Sequence, residues 1–196
     1  VTSVAEGCNK IAFPHKIQFW KVWSQESAGS LDIFGQTILG YGLLSFNLLL
    51  MSLTYLILSK GLGWWMPTGT LINPNILASY VPWFSSFATS LQAGFTEEIM
   101  FRMLPIAGAI AIGRYYKKEN LFLFSTVILQ AIIFGGMHTF YAQQPVYFRI
   151  VELFIPSLIW AGAYIYFGLL PTIICHYLWD LMWFAMPIMV SEAPGG

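Results

Sequence analysis

Charge is what this sequence has least of. Asp, Glu, Lys and Arg together make up 9% of the 196 residues, against about 25% in an ordinary soluble domain. Nine Lys and Arg balance nine Asp and Glu, which leaves neither a basic surface for a nucleic acid nor an acidic tail. Nucleic-acid partners are thereby excluded. The cysteines, Cys8 and Cys175, are too few for a disulfide scaffold. Internal repeats and low-complexity tracts are lacking, and an aromatic content of 17% is incompatible with a disordered chain. What is present is apolar bulk: 57% of residues are hydrophobic and the mean hydropathy is +0.66. That balance describes an integral, multi-pass membrane protein in contact with lipid. The chain starts at Val1 without a short basic-then-apolar leader, and reads as part of something longer.

The spacing of the few charges divides the chain, because a helix needs about 20 mostly apolar residues to cross about 30 Å of hydrocarbon. Ile33 to Ser59 carries no charge and is the first span. Gly61 to Thr96 is also uncharged, but Pro67, Gly69, Asn73, Pro74, Asn75 and Pro82 break its first half into a loop or interfacial segment. A second helix is expected from near Pro82 through Gly113, longer than one crossing and kinked at Pro105. The charged turn of Arg114, Lys117, Lys118 and Glu119 leads into a third span, Leu121 to His138. A fourth runs from near Ile150 to Gly168, and Gly168 followed by Pro171 is a stop-then-restart signal for a fifth, ending near Val190. The fold class is therefore all-α, a polytopic transmembrane helical bundle of about five spans plus an interfacial N-terminal segment. Its expected divisions are a polar or interfacial segment over 1–31, an upstream transmembrane helix and loop over 32–81, a core over 82–190 and a tail over 191–196. Trp20, Trp23, Trp64 and Trp65 flank the first span as an aromatic belt. Lys10, Lys16 and Lys21 precede that span and only Lys60 follows it, which puts the N-terminus in the cytoplasm and, two crossings later, Arg114, Lys117 and Lys118 with it.

Six ionisable residues fall inside these spans: Glu97, Glu98, Arg102, His138, His176 and Asp180. A charge at the centre of a membrane helix costs about 2.5 to 3.5 kcal/mol, so such groups face the protein interior or a wet cavity and are candidates for function. Glu97 and Glu98 are adjacent, about 100° apart on a helix, and should have different roles. Arg102 follows Glu98 by four residues, the favoured spacing for an ion pair, which neutralises one carboxylate and leaves Glu97 free as a candidate base. The same trio equally serves as a buried salt-bridge cluster fixing helix packing. His138 ends the third span beside Gly135 and Gly136, which permit close backbone approach or a local break, and taken alone it is an ordinary hydrogen-bonded core or interfacial histidine. His176 and Asp180 share a helix face, either as an oriented imidazole or as an interhelical hydrogen-bond pair. Arg149 and Glu152, at a helix start, read as an interfacial ion pair, and Cys175 as small core filler.

Together, Glu97-Glu98-x-x-x-Arg102, Phe134-x-x-x-His138 and His176-x-x-x-Asp180, in this order and each inside an apolar segment, resemble the CAAX protease and bacteriocin-processing family of intramembrane proteases, related to the type II CAAX prenyl endopeptidases. The resemblance covers Pro82 to Pro187. It implies an endopeptidase acting on a membrane-associated protein or peptide, with Glu97 activating water and Glu98 and Arg102 supporting it. His138 and His176 would position the water or stabilise the oxyanion. The last motif position, often Asn in prenyl-processing members, is Asp180 here, which weakens a prenylated-substrate assignment more than a protease assignment, because an ionised Asp cannot donate to an oxyanion. Members have been described as metalloproteases, and His138 and His176 are the ligands if a divalent metal such as zinc is bound; the lack of HExxH spacing favours a metal-free glutamate mechanism. Rival readings are a catalytically silent scaffold or immunity-type protein of the same fold, and a proton-coupled transporter. One geometric condition follows. At about 1.5 Å per residue, Glu98 lies about 24 Å from Arg114 and His138 about 26 Å from Leu121, but His176 only about 8 to 12 Å from the Gly168–Pro171 turn. The three can meet only if the helices around 114–121 tilt or extend past those around 168–171.

Overall fold

The structure, a computed structural model, describes residues 2–65, 76 and 78–191. Its helices are α1 (Thr2–Ala12), α2 (Leu31–Leu62), α3 (Pro82–Glu98), a π-helical turn (Ile99–Met103), α4 (Leu104–Tyr115), α5 (Glu119–Met137), α6 (Phe148–Phe167) and α7 (Leu170–Met189), with a short 3-10 turn at Phe19–Lys21. Among the described residues there is no strand, only an isolated antiparallel bridge between Trp65 and Gln144. Four helices, α2, α5, α6 and α7, are long and apolar enough to cross a membrane. In α2 only 17% of the apolar window is buried, so most of its side chains face outward, as lipid contact requires. The expected loop residues Pro67, Gly69, Asn73, Pro74 and Asn75, and the tail beyond Ser191, lie outside the described residues.

Pro82 sits in the first turn of α3, where its missing N–H costs nothing. The interruption expected at Pro105 takes the form of a π turn just before it. Leu104 N–H reaches back to Ile99 O, five residues away, and the widened turn relieves the clash that the Pro105 ring would make with the Phe101 carbonyl. α3 packs along α7 through residues four apart: Ser86 and Ser90 are fully buried, and the Ser86 hydroxyl donates to Phe184 O at 3.2 Å. At Gly94 an added Cβ would lie 3.1 Å from the Tyr177 backbone nitrogen. Small residues at this spacing let two helix backbones approach closely. The next residue on that face is Glu98.

α5 and α6 approach in the same way at Gly135, where an added Cβ would stand 2.7 Å from Ile150 Cα, whereas one at Gly136 would meet nothing within 4 Å. Gly135→Ala is therefore expected to destabilise the detergent-solubilised protein by about 1 to 3 kcal/mol, the cost of overpacking against backbone, and Gly136→Ala to be close to neutral. Thermal unfolding of the two variants side by side checks this; equal stability would show that α5 and α6 are not in close contact.

The segment over 1–31 contains a docked helix that its polar composition did not indicate. Ala5 and Ala12 of α1 are buried and α1 packs on α4. Asn9 Oδ1 accepts from the Tyr164 hydroxyl at 2.7 Å. Arg114 donates to the carbonyls of Ile11 and Ala12 at 2.8 and 3.1 Å, and Lys16 Nζ donates to the carbonyls of Tyr164 and Ile165. These carbonyls lie in the last turns of α1 and α6, where a cation is favoured; Tyr164 O also accepts from Gly168 N–H at 3.0 Å.

Candidate active site

Glu97 and Glu98 end α3, and the packing of that helix against α7 decides which of them is buried. Glu98 continues the Ser86, Ser90 and Gly94 face, so its side chain has no exposure at all. Its Oε1 accepts from His176 Nδ1 of α7 at 2.8 Å and stands 3.2 Å from Arg102 Nη1, across the π turn. Arg102, also wholly buried, is held from behind: Nη2 donates to Ser157 Oγ at 3.0 Å, and that hydroxyl donates to Gln130 Oε1 at 3.2 Å. The guanidinium carbon lies 4.1 Å from the Phe134 ring centroid and 5.1 Å from that of Trp160, close enough for cation–π attraction. A buried ion pair survives only with such additional partners, because desolvating both ions costs several kcal/mol.

Glu97, one step round the helix, is 31% exposed and faces a cavity of about 840 Å³ shared with His138, His176 and Asp180. His138 follows α5 as its C-terminal cap, and its Nδ1 lies 2.7 Å from Phe134 O. A carbonyl can only accept, so Nδ1 carries the proton and Nε2 presents a lone pair. His138 Nε2 and His176 Nε2 each stand 3.8 Å from Glu97 Oε2. Asp180 Oδ2 is 3.6 Å from His176 Nε2. The two adjacent glutamates therefore address the two nitrogens of one imidazole, Glu98 from behind and Glu97 from the cavity. The six residues singled out from sequence meet in one cluster, and His176 touches Glu98 although the two lie at unequal distances along their helices from the nearest turn.

A sequence model of the type II CAAX prenyl endopeptidase Rce1-like family matches residues 79–182. The chain belongs to this family. The matched stretch is more than half of the protein and contains Glu97, Glu98, Arg102, His138, His176 and Asp180. With four helices apolar enough to span a bilayer, this Rce1-like chain is an integral membrane protein. No curated protein and no solved structure matches it.

Two features of this Rce1-like site were not evident from the sequence. Ser157 and Gln130, which hold Arg102, carry no charge and were invisible to a search for ionisable groups. Arg149 and Glu152 do form an ion pair, at 2.8 Å, and it is buried within the bundle: Glu152 is 1% and Arg149 7% exposed, and Arg149 lines the cavity. The signal was present, since both lie on the same helical stripe as Pro156, Ser157 and Trp160. Cys175 is fully buried, as expected of small core filler, and does not line the cavity. Among the described residues no group of three or more His, Cys, Asp or Glu side chains is drawn together closely enough to hold a metal ion as they stand.

Proposed function

We propose that the protein is an intramembrane endopeptidase in which Glu97 activates a water molecule for attack on a peptide bond of a membrane-associated protein or peptide. One observation carries this reading: two imidazole Nε2 atoms, with each Nδ1 already committed elsewhere, stand 3.8 Å from one buried carboxylate oxygen, Oε2 of the cavity-lining Glu97, which has no hydrogen-bond partner among the described residues. That separation is too long for direct hydrogen bonds and suits a small donor between them. A water molecule supplies two O–H groups, one for Glu97 Oε2 and one for His138 Nε2. Glu97 takes the first proton as the water oxygen bonds to the substrate carbonyl carbon, and the carbonyl π pair becomes the oxyanion.

His176 has a carboxylate near each ring nitrogen, Glu98 at Nδ1 and Asp180 at Nε2. A ring so flanked can hold a proton on both, and its Nε2–H is then the donor for the oxyanion. This gives Asp180 a task although it cannot itself donate: it faces the proton-bearing nitrogen. Collapse of the tetrahedral intermediate breaks the C–N bond, and Glu97 returns its proton to the leaving amine. Arg102 and Glu98 act as positioning residues for His176. Trp160, Trp179 and Trp183 line the cavity, a largely apolar wall beside which such charges act at lowered dielectric.

The run from Pro82 to Tyr115 supplies a fifth crossing, and the N-terminus is cytoplasmic. Supporting that orientation, Lys16 and Arg114 both bond at the end of the bundle where α1 docks, so the basic clusters gather on one side. The test is cleavage of membrane-proximal peptides by the protein reconstituted in liposomes. Product formation is expected, and it is expected at an unchanged rate in a strong chelator. Loss of activity on chelation, reversed by zinc, would replace the metal-free mechanism; absence of any product from a broad peptide library would leave the scaffold or transporter readings.

A further inference from the structure

Arg149, in the first turn of α6, is a cation in the cavity wall for which the hydrolysis above has no task. Its side chain is 9% exposed, and Nη1 donates to Glu152 Oε2 at 2.8 Å. A guanidinium offers further N–H groups in a planar fork, and here the buried Nε has no hydrogen-bond partner among the described residues. The Tyr141 ring covers one face of the guanidinium, 5.0 Å from its carbon. The same ring lies nearly parallel to His138, at 14° and 6.4 Å between centroids. One aromatic ring thus separates the cation from a histidine that faces Glu97.

A counter-ion for Glu152 alone does not account for this. A buried pair with no other duty is matched or bettered in stability by apolar residues of similar size, and nothing in such a pair requires the guanidinium to line the cavity. A cavity-lining guanidinium that gives only part of its fork to Glu152 matches a planar anion, which it can bind through two parallel hydrogen bonds when its remaining N–H groups turn to the cavity. The cavity's other charges add a direction. Glu97 and Asp180 outweigh one protonated His176, so the hydrolytic end repels a carboxylate, and Arg149, although paired with Glu152, is the cation lining the cavity away from it; a ligand bearing a single negative group is oriented with that group at Arg149 and an uncharged portion at Glu97.

We propose that Arg149 is the carboxylate-binding residue of this cavity, taking either the free C-terminus or an acidic side chain of the peptide substrate and fixing the direction in which the chain crosses Glu97. The proposal rests on the reading that the cavity receives a peptide.

The test is binding, measured on the full chain carrying Glu97→Gln so that no turnover intervenes. The probes are a short apolar peptide with a free C-terminus, its C-terminal amide, and two amidated versions bearing one Glu or one Gln. An acidic probe is expected to bind about tenfold or more tightly than its neutral match, the advantage of a charge-assisted fork. Which acidic probe does so identifies the source of the carboxylate. Adding Arg149→Gln together with Glu152→Gln, which leaves no lone buried charge, is expected to erase the preference. Arg149→Lys keeps the ion pair but loses the fork, and is expected to reduce the preference several-fold even if the doubly neutral protein does not fold. The proposal is overturned if no acidic probe outbinds its neutral match, or if the preference is unchanged in these variants. Cleavage by the chain with Glu97 intact is scored separately: an acid preference without any product removes the endopeptidase reading and keeps the anchor, and product without an acid preference does the reverse.

Discussion

Glu97→Gln is expected to lower peptide cleavage by about 10²- to 10⁴-fold, the range for losing a general base, while leaving the protein folded. Gln has the same shape and can still hydrogen-bond to a water, but it cannot take the proton. Folding should be spared because Glu97 is not part of the buried ion pair: its side chain is 31% exposed and its Oε2 has no hydrogen-bond partner among the described residues. Glu98→Gln is the informative contrast, since Glu98 Oε1 serves both His176 and Arg102 and is wholly buried, so that variant is expected to lose stability as well as activity. Rates and melting temperatures measured on both variants separate the roles. Wild-type rates in Glu97→Gln would remove the mechanism.

Arg102→Met is expected to cost about 3 to 5 kcal/mol of stability, the penalty for removing one member of a buried ion pair. The loss has identifiable parts. Glu98 would keep its charge with no cation beside it, Ser157 Oγ would lose the donor at 3.0 Å, and the Phe134 and Trp160 rings would lose the cation between them. Most of that penalty belongs to the stranded carboxylate rather than to the bond itself. Combining Arg102→Met with Glu98→Gln is therefore expected to recover a large share of the stability but none of the activity, because His176 Nδ1 would then face an amide. Denaturant unfolding in detergent, with both variants and the wild type, measures the difference. A double variant no more stable than Arg102→Met alone would mean that the pair is not what the penalty comes from.

The helices were legible wherever apolar length and Pro or Gly punctuation agreed. Pro82 opens α3, Gly168 closes α6 at a positive φ of 104°, and Leu170–Met189 follows directly. Four of the expected crossings correspond to helices long and apolar enough to span; the run from Pro82 to Tyr115 does not count among them because the π turn divides it. That turn was not legible. Pro105 signals a defect, but how a helix absorbs it depends on neighbours, here the need to keep Arg102 facing Glu98. Docking of α1 was equally hidden, since Asn9, Lys16 and Arg114 find their partners on α6 and α1 across more than a hundred residues of chain.

Scarcity of charge made the candidate site readable. In a chain with 9% charged residues, the cost of an ionisable group at membrane depth leaves few such groups, and Glu97, Glu98, Arg102, His138, His176 and Asp180 stood out by position alone. Sequence spacing also set the Glu98–Arg102 pairing, a local i, i+4 relation. What only the tertiary structure decided is which carboxylate meets which nitrogen. Small residues at Ser86, Ser90 and Gly94 draw α3 against α7 and bury Glu98 on His176 Nδ1, which turns Glu97 to the cavity and to the two Nε2 atoms. Arg149 shows the same limit from the other side: its charge and its i, i+3 partner are local facts, but whether it faces lipid headgroups or the cavity is set by how α5 and α6 close at Gly135. Local spacing fixes neighbours on one helix; contacts between helices depend on backbone approach, which no single segment encodes.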